Sequence, residues 1–152
     1  MTATGAPTPA EMAWQMMREL VLDNERRKEA SSALGLSFAR IKALRRIAES
    51  PLPMGELATS LGIEPPYMTL VVDDLERQGL VERRPHPSDR RAKLVVATAR
   101  GRQAARRAEA ILERPPPGLA GLPTEVSEAL VELLIAVKAS TNGEVPGGRA
   151  LG

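Results

Sequence analysis

His86, Ser88 and Asp89 are the side chains of a hydrolytic triad, and they stand within four residues of one another in the stretch LVERRPHPSDRRAKLVVATARGR, residues 80–102. Four residues between Pro85 and Arg90 cannot enclose the desolvated pocket and oxyanion hole that acyl transfer needs. The same stretch offers a second chemistry. From Glu76 to Lys93, six cations (Arg77, Arg83, Arg84, Arg90, Arg91 and Lys93) face three carboxylates (Glu76, Glu82 and Asp89), a local surplus larger than the +2 of the whole 152-residue chain. Concentrated positive charge on a short turn suits contact with a polyanion.

Composition removes other classes of function. There is no cysteine and His86 is the only histidine, so thiol redox chemistry is excluded and the roughly four Cys and His ligands of a structural zinc are missing. No metal or cofactor is expected, and no glycine-rich phosphate loop points to a nucleotide-using enzyme. The start MTATGAPTPAEM lacks a signal-peptide pattern, and no apolar run approaches the roughly 18 residues of a membrane span. A cytoplasmic protein with no membrane partner is the expectation. With 43% hydrophobic residues, the length suits one domain.

The elements that must position the basic turn follow from punctuation. Thr8-Pro9-Ala10-Glu11 is a capping box with proline at the first helical position, opening a long helix. Its Met12, Trp14, Met16, Met17, Leu20 and Val21 cover more than one face, and that surplus calls for a partner chain. Ser37 caps a second helix with Phe38, Ile41, Leu44 and Ala48 at helical spacing, ended by Ser50-Pro51. A short third helix (55–61) stops at Gly62, and a fourth starts at Pro65-Pro66, carries Met68, Val71, Val72 and Leu75 inward, and stops at Gly79. Helix, tight turn, helix is helix-turn-helix grammar. Leu80–Arg84 and Ala92–Ala97 then pair as a hairpin around the basic tip. Thr98 caps a fifth helix that Pro115-Pro116-Pro117 breaks, and a last helix with a broad apolar stripe (Val126, Leu130, Leu133, Leu134, Val137) follows Pro123.

This order, and above all LERQGLVERRPHPSDRRAKLVVATARGR (Leu75 to Arg102), resembles the MarR (multiple antibiotic resistance regulator) family of winged-helix repressors, whose pattern runs LE..GLV.R, D.R, V.LT..G. The resemblance covers roughly residues 9–139. It implies an α+β, mainly α fold: a winged helix (37–98) inside a single domain (8–140), with dimerisation helices at 9–30, 99–114 and 124–139, while the small, polar, Pro/Gly-rich ends at 1–7 and 141–152 read as disordered tails. The implied function is sequence-specific binding of double-stranded DNA by a homodimer on a pseudo-palindromic operator, most simply as a repressor. The DNA-contacting set is then Pro66, Tyr67, Thr69, Leu70 and Arg77 on the fourth helix, with Arg83, Arg84, Ser88, Asp89, Arg90, Arg91 and Lys93 on the wing. In the family, the arginine matching Arg91 enters the minor groove. Asp89, two residues away, is expected to pair with the Arg91 guanidinium and orient it.

This chain departs from the family on the fourth helix. Leu70 and Asp74 stand where Arg or Lys is frequent, and Glu64 where a small hydroxyl cap is usual. Base contact is left to the hydroxyls of Tyr67 and Thr69 and to Leu70 against a thymine methyl. Burial of the Tyr67 ring between helices is an equally open role. Family members often bind small aromatic or lipophilic effectors, and Trp14, Met17, Arg18 and Phe38 are the residues such a pocket would draw on here, or else ordinary core. The competing function is a winged helix that docks on a basic protein through Asp73 and Asp74 and does not bind DNA specifically.

Overall fold

The computed structural model describes residues 5–22 and 25–143, and the chain divides into two compact units between Arg114 and Pro115. In the first unit α1 (Pro9–Leu22) and α2 (Glu25–Leu34) precede α3 (Phe38–Glu49), β1 (Leu52–Pro53), α4 (Met54–Leu61), α5 (Pro65–Arg77), β2 (Val81–Pro85), β3 (Lys93–Ala97) and α6 (Ala99–Leu112). The second unit contains α7 (Pro117–Ala120) and α8 (Thr124–Thr141). Among the described residues, no helix is long and apolar enough to cross a membrane.

Caps mark the helix starts as expected. The Thr8 hydroxyl accepts from the Glu11 amide while the Glu11 carboxylate accepts from the Thr8 amide, at 3.3 and 2.7 Å. That amide bond holds the Glu11 carboxyl below its usual range. Ser37 and Thr98 accept from the amides of Arg40 and Gly101. Gly62 ends α4 at φ 61, a left-handed conformation that a Cβ disfavours, and its turn delivers the chain to α5.

Met68, Val71, Val72 and Leu75 of α5 are wholly buried against Ile41, Leu44 and Ile47 of α3, Leu57 of α4 and Val81 and Val95 of the sheet. The sheet has the order β1-β3-β2, antiparallel throughout, with Val81 opposite Ala97 and Leu52 opposite Val95. Gly101 is the tightest joint. A Cβ there would lie 1.8 Å from the Leu80 carbonyl oxygen, so only glycine lets α6 approach the α5–β2 junction. The Thr98 hydroxyl and amide complete that joint by donating to the carbonyls of Gly79 (2.7 Å) and Leu80 (3.1 Å).

Three features differ from the sequence expectation. The helix expected over 9–30 is described as α1 and α2, with residues 23–24 outside the described set, and α2 runs on to Leu34 because Ala30 is buried and Leu34 packs against the core. β1 consists of two residues, too few for any periodic signal. The Pro115–Pro117 break is followed by the short α7, which uses Pro117 as its first residue, where no amide hydrogen is needed. The expected tail over 141–152 lies outside the described residues beyond Gly143, and α8 ends at Thr141.

Candidate nucleic-acid interface

Helix α5 buries one face and turns the other outward. Leu70 is 63% exposed and Tyr67 47%, so the Tyr67 ring is not interred between helices. Pro66 is exposed beside them. The Thr69 hydroxyl donates to the Pro65 carbonyl at 3.1 Å, back-bonding to its own helix and leaving its methyl group and lone pairs outward. Two of the first three α5 residues are proline, so the helix start has few free amides to offer a phosphate.

Every α5 carboxylate in the recognition region is already engaged. Asp74 accepts from the Arg40 Nε of α3, from Arg77 at 2.8 Å and from Gln78 at 3.1 Å. The Arg40 hydrogen bond is the main reason its carboxyl sits below the ordinary aspartate range, against the opposing effect of burial. Arg83 of β2 bridges to Asp73 at 2.6 Å and to Glu76, with 22% of its side chain exposed. Burial works against its charge, yet the hydrogen bond it donates to Asp73 and the field of Glu76 outweigh burial and raise its pKa. Arg84 pairs with Glu82. Arg77, Arg83 and Arg84, all expected to face DNA, therefore each meet a carboxylate of their own chain.

The hairpin tip is organised differently. Arg90, Arg91 and Lys93 are exposed, and none has an ion pair among the described residues. The His86 Nδ1 accepts the amides of Ser88 and Asp89 at 3.1 and 3.2 Å, which fixes the turn with the ring nitrogen unprotonated. One expectation needs correction: Asp89 accepts the Arg91 backbone amide at 2.9 Å instead of holding its guanidinium. Two residues apart in a tight turn, the amide is the nearer donor. The carboxylate shapes the tip, and the Arg91 side chain has no carboxylate partner among the described residues.

Sequence reasoning missed Arg40, because its partner Asp74 is 34 residues away and no local spacing announces the pair. Of the residues named for an effector pocket, Trp14 is 63% exposed and Arg18 exposed on α1, Met17 is half-buried, and Phe38 packs on the core with the Arg27 guanidinium 4.5 Å above its ring. A cleft of ≈ 310 Å³ opens elsewhere in the first unit, over Ala33, Leu34, Leu36, Leu80 and Ala104, and its rim carries Gln78, Arg100, Gln103 and Arg107.

Residues 36–93 match the model of the MarR family. Over that stretch the chain is similar to members of that family. The HTH-type transcriptional repressor Rv2887 of Mycobacterium tuberculosis is 39% identical over 84 residues, which cover 55% of this chain and 60% of the relative. The match therefore spans less than two thirds of that relative's length. The crystal structure of the same M. tuberculosis MarR family protein superposes with a TM-score of 0.66 at 28% identity, over 89% of this chain and 99% of that one. CouR from Rhodococcus jostii RHA1, solved with p-coumaroyl-CoA, gives 0.62 at 26% identity, over 88% and 95%. Apo MarR from E. coli gives 0.66 at 22%, over 88% and 98%, a likeness of fold. The fold is thus the winged helix-turn-helix expected, with β2 and β3 as the wing and α5 as the second helix of the motif. The relatives are regulators, not enzymes.

Proposed function

We propose that this chain is a sequence-specific, duplex-DNA-binding transcriptional repressor that works as a homodimer on a pseudo-palindromic operator. The observation that carries the reading is the set of cations with no ion pair among the described residues, Arg90, Arg91 and Lys93, at the tip of a wing anchored to α5 through Arg83. Phosphates supply the counter-charge those three lack. The wing tip reaches the minor groove while α5 lies in the adjacent major groove, and two such units bind half-sites about 10 base pairs apart. The acidic face that favoured a protein-docking winged helix loses its force, since Asp73 and Asp74 are both matched by arginines.

A second copy is supported by apolar surface. α1 exposes Met12, Trp14, Met16, Leu20 and Val21, and α8 exposes Val126, Val131, Leu133, Ile135 and Val137, more than isolated helices of a monomer leave in water. For a small aromatic or lipophilic effector, the cleft rimmed by Arg100 and Arg107 is the better seat than the surroundings of Trp14. It has an apolar floor, and its Arg100 and Arg107 have no carboxylate partner among the described residues. Gln78, on its rim, also donates to Asp74 of α5, so an occupant there touches the residue that helps to seat the DNA-reading helix.

Selection of bound fragments from a random duplex library, followed by titration at several salt concentrations, tests the reading. A two-fold-symmetric site with strongly salt-dependent affinity is expected. Binding that ignores salt, or no selected site, overturns it. Light scattering at low micromolar concentration reports the dimer, and a monomer there removes the half-site geometry.

A further inference from the structure

We propose that α5 selects its half-site by the C5-methyl groups of thymine, through Leu70 and Tyr67, and not by the hydrogen-bonding edge of guanine. The inference rests on the DNA-binding reading above and specifies what that reading leaves open. Guanine is read by a bidentate Arg or Lys, adenine by Asn or Gln, and the cytosine amino group by a carboxylate. On α5 each of these readers is absent or already used. Its one arginine, Arg77, lies in the last turn and is paired with Asp74. No Asn or Gln occurs between Pro65 and Arg77, and Gln78, one residue beyond, donates to Asp74. The two aspartates are held by Arg83, Arg40 and Arg77. Thr69 spends its hydroxyl hydrogen on the Pro65 carbonyl.

The groups that remain outward are apolar or nearly so: the Leu70 side chain, the Tyr67 ring with its terminal hydroxyl, and the Thr69 methyl. Tyr67 and Leu70 stand three residues apart, on one face and one turn from each other. The major-groove feature complementary to an exposed leucine is the thymine methyl. The Arg90, Arg91 and Lys93 charges on the adjoining wing argue for duplex DNA as the occupant of this apolar face, because a protein core would offer them nothing to neutralise. Affinity comes from the wing and discrimination from methyl contacts.

Replacing thymine by uracil in the selected operator removes the methyl and nothing else. Single replacements under α5 are expected to weaken binding about fourfold each, the worth of one buried carbon. Replacements in the flanking segments that face the wing have no effect, since the methyl projects into the major groove. Leu70→Ala, a change at an exposed position, keeps the fold by circular dichroism and erases the uracil penalty at one position. Tyr67→Ala does the same at a neighbouring one. Specific, salt-dependent binding that is indifferent to uracil, or that collapses when guanine is replaced by 7-deazaguanine under α5, overturns the methyl assignment and leaves the regulator reading intact. Failure to select any DNA overturns both. A uracil penalty that survives in both variants also overturns the assignment to these side chains.

Discussion

On α5 and the first part of β2, arginines and carboxylates are matched: Arg77 with Asp74, Arg83 with Asp73 and Glu76, and Arg40 reaching across from α3 to Asp74. At the far end of the same hairpin, Arg90, Arg91 and Lys93 meet no carboxylate side chain among the described residues, and Asp89 spends its oxygen on a backbone amide. Two adjoining surfaces of similar composition thus reach opposite electrical states. Matched charges make a nearly neutral face that fixes the orientation of helix and wing. Unmatched ones make a tip whose charge is available to an anion. The lesson is that a count of cations along the sequence overstates how many can serve a ligand, because those nearest the core are claimed first by their own chain.

Breaking the joint that carries both regions should have the largest effect. Gly101→Ala forces a Cβ onto the Leu80 carbonyl, and a loss on the order of 3 kcal/mol in unfolding free energy is expected, read by denaturant titration. A midpoint unchanged from the parent chain would mean that α6 does not bear on the junction. Next comes the tip itself. Arg91→Ala should weaken operator binding by about 1 to 3 kcal/mol, lower the log-log salt slope by about 0.9, and leave thermal stability untouched.

Arg83→Ala is the mirror of that experiment. Loss of its two carboxylate partners should lower stability by about 1 kcal/mol, while the salt slope of DNA binding stays close to that of the parent. If Arg83→Ala cuts the salt slope as much as Arg91→Ala does, the division between matched and free cations fails. The smallest change is expected for Asp74→Asn. The Asp74 pKa is depressed in the folded state, so its contribution to stability is present above the ordinary carboxylate value and is lost as pH falls through the folded value. The variant should be less stable than the parent at neutral pH, and the two should converge in acid, as followed by unfolding midpoints across pH. Glu11 also titrates low, so some acid dependence persists in the variant.

Much of the helical framework was legible because its signals are local. The Thr8–Glu11 box, the Ser37 and Thr98 caps, the Gly62 stop and the proline start of α5 each act within four residues, and each is found where the sequence places it. β1 was not legible, since two residues carry no period and form a strand only because β3 lies beside them. The candidate DNA-facing positions came from the resemblance, and the structure adds their exposure and their partners. The state of each side chain was not legible in the sequence. Arg83 looks like its neighbour Arg84 in sequence, but it is three-quarters covered and pinned between Asp73 and Glu76.

The amino-acid sequence alone determined the winged helix and its likeness to the MarR family, because capping, periodicity and motif spacing are properties of neighbours along the chain. Only the tertiary structure decided which cations remain free, that Asp89 orders the backbone of the tip, and that Gly101 must be bare. Those outcomes depend on pairs brought together across the fold, such as Arg40 with Asp74 and Gly101 with Leu80, where close approach and burial, not sequence spacing, set the interaction.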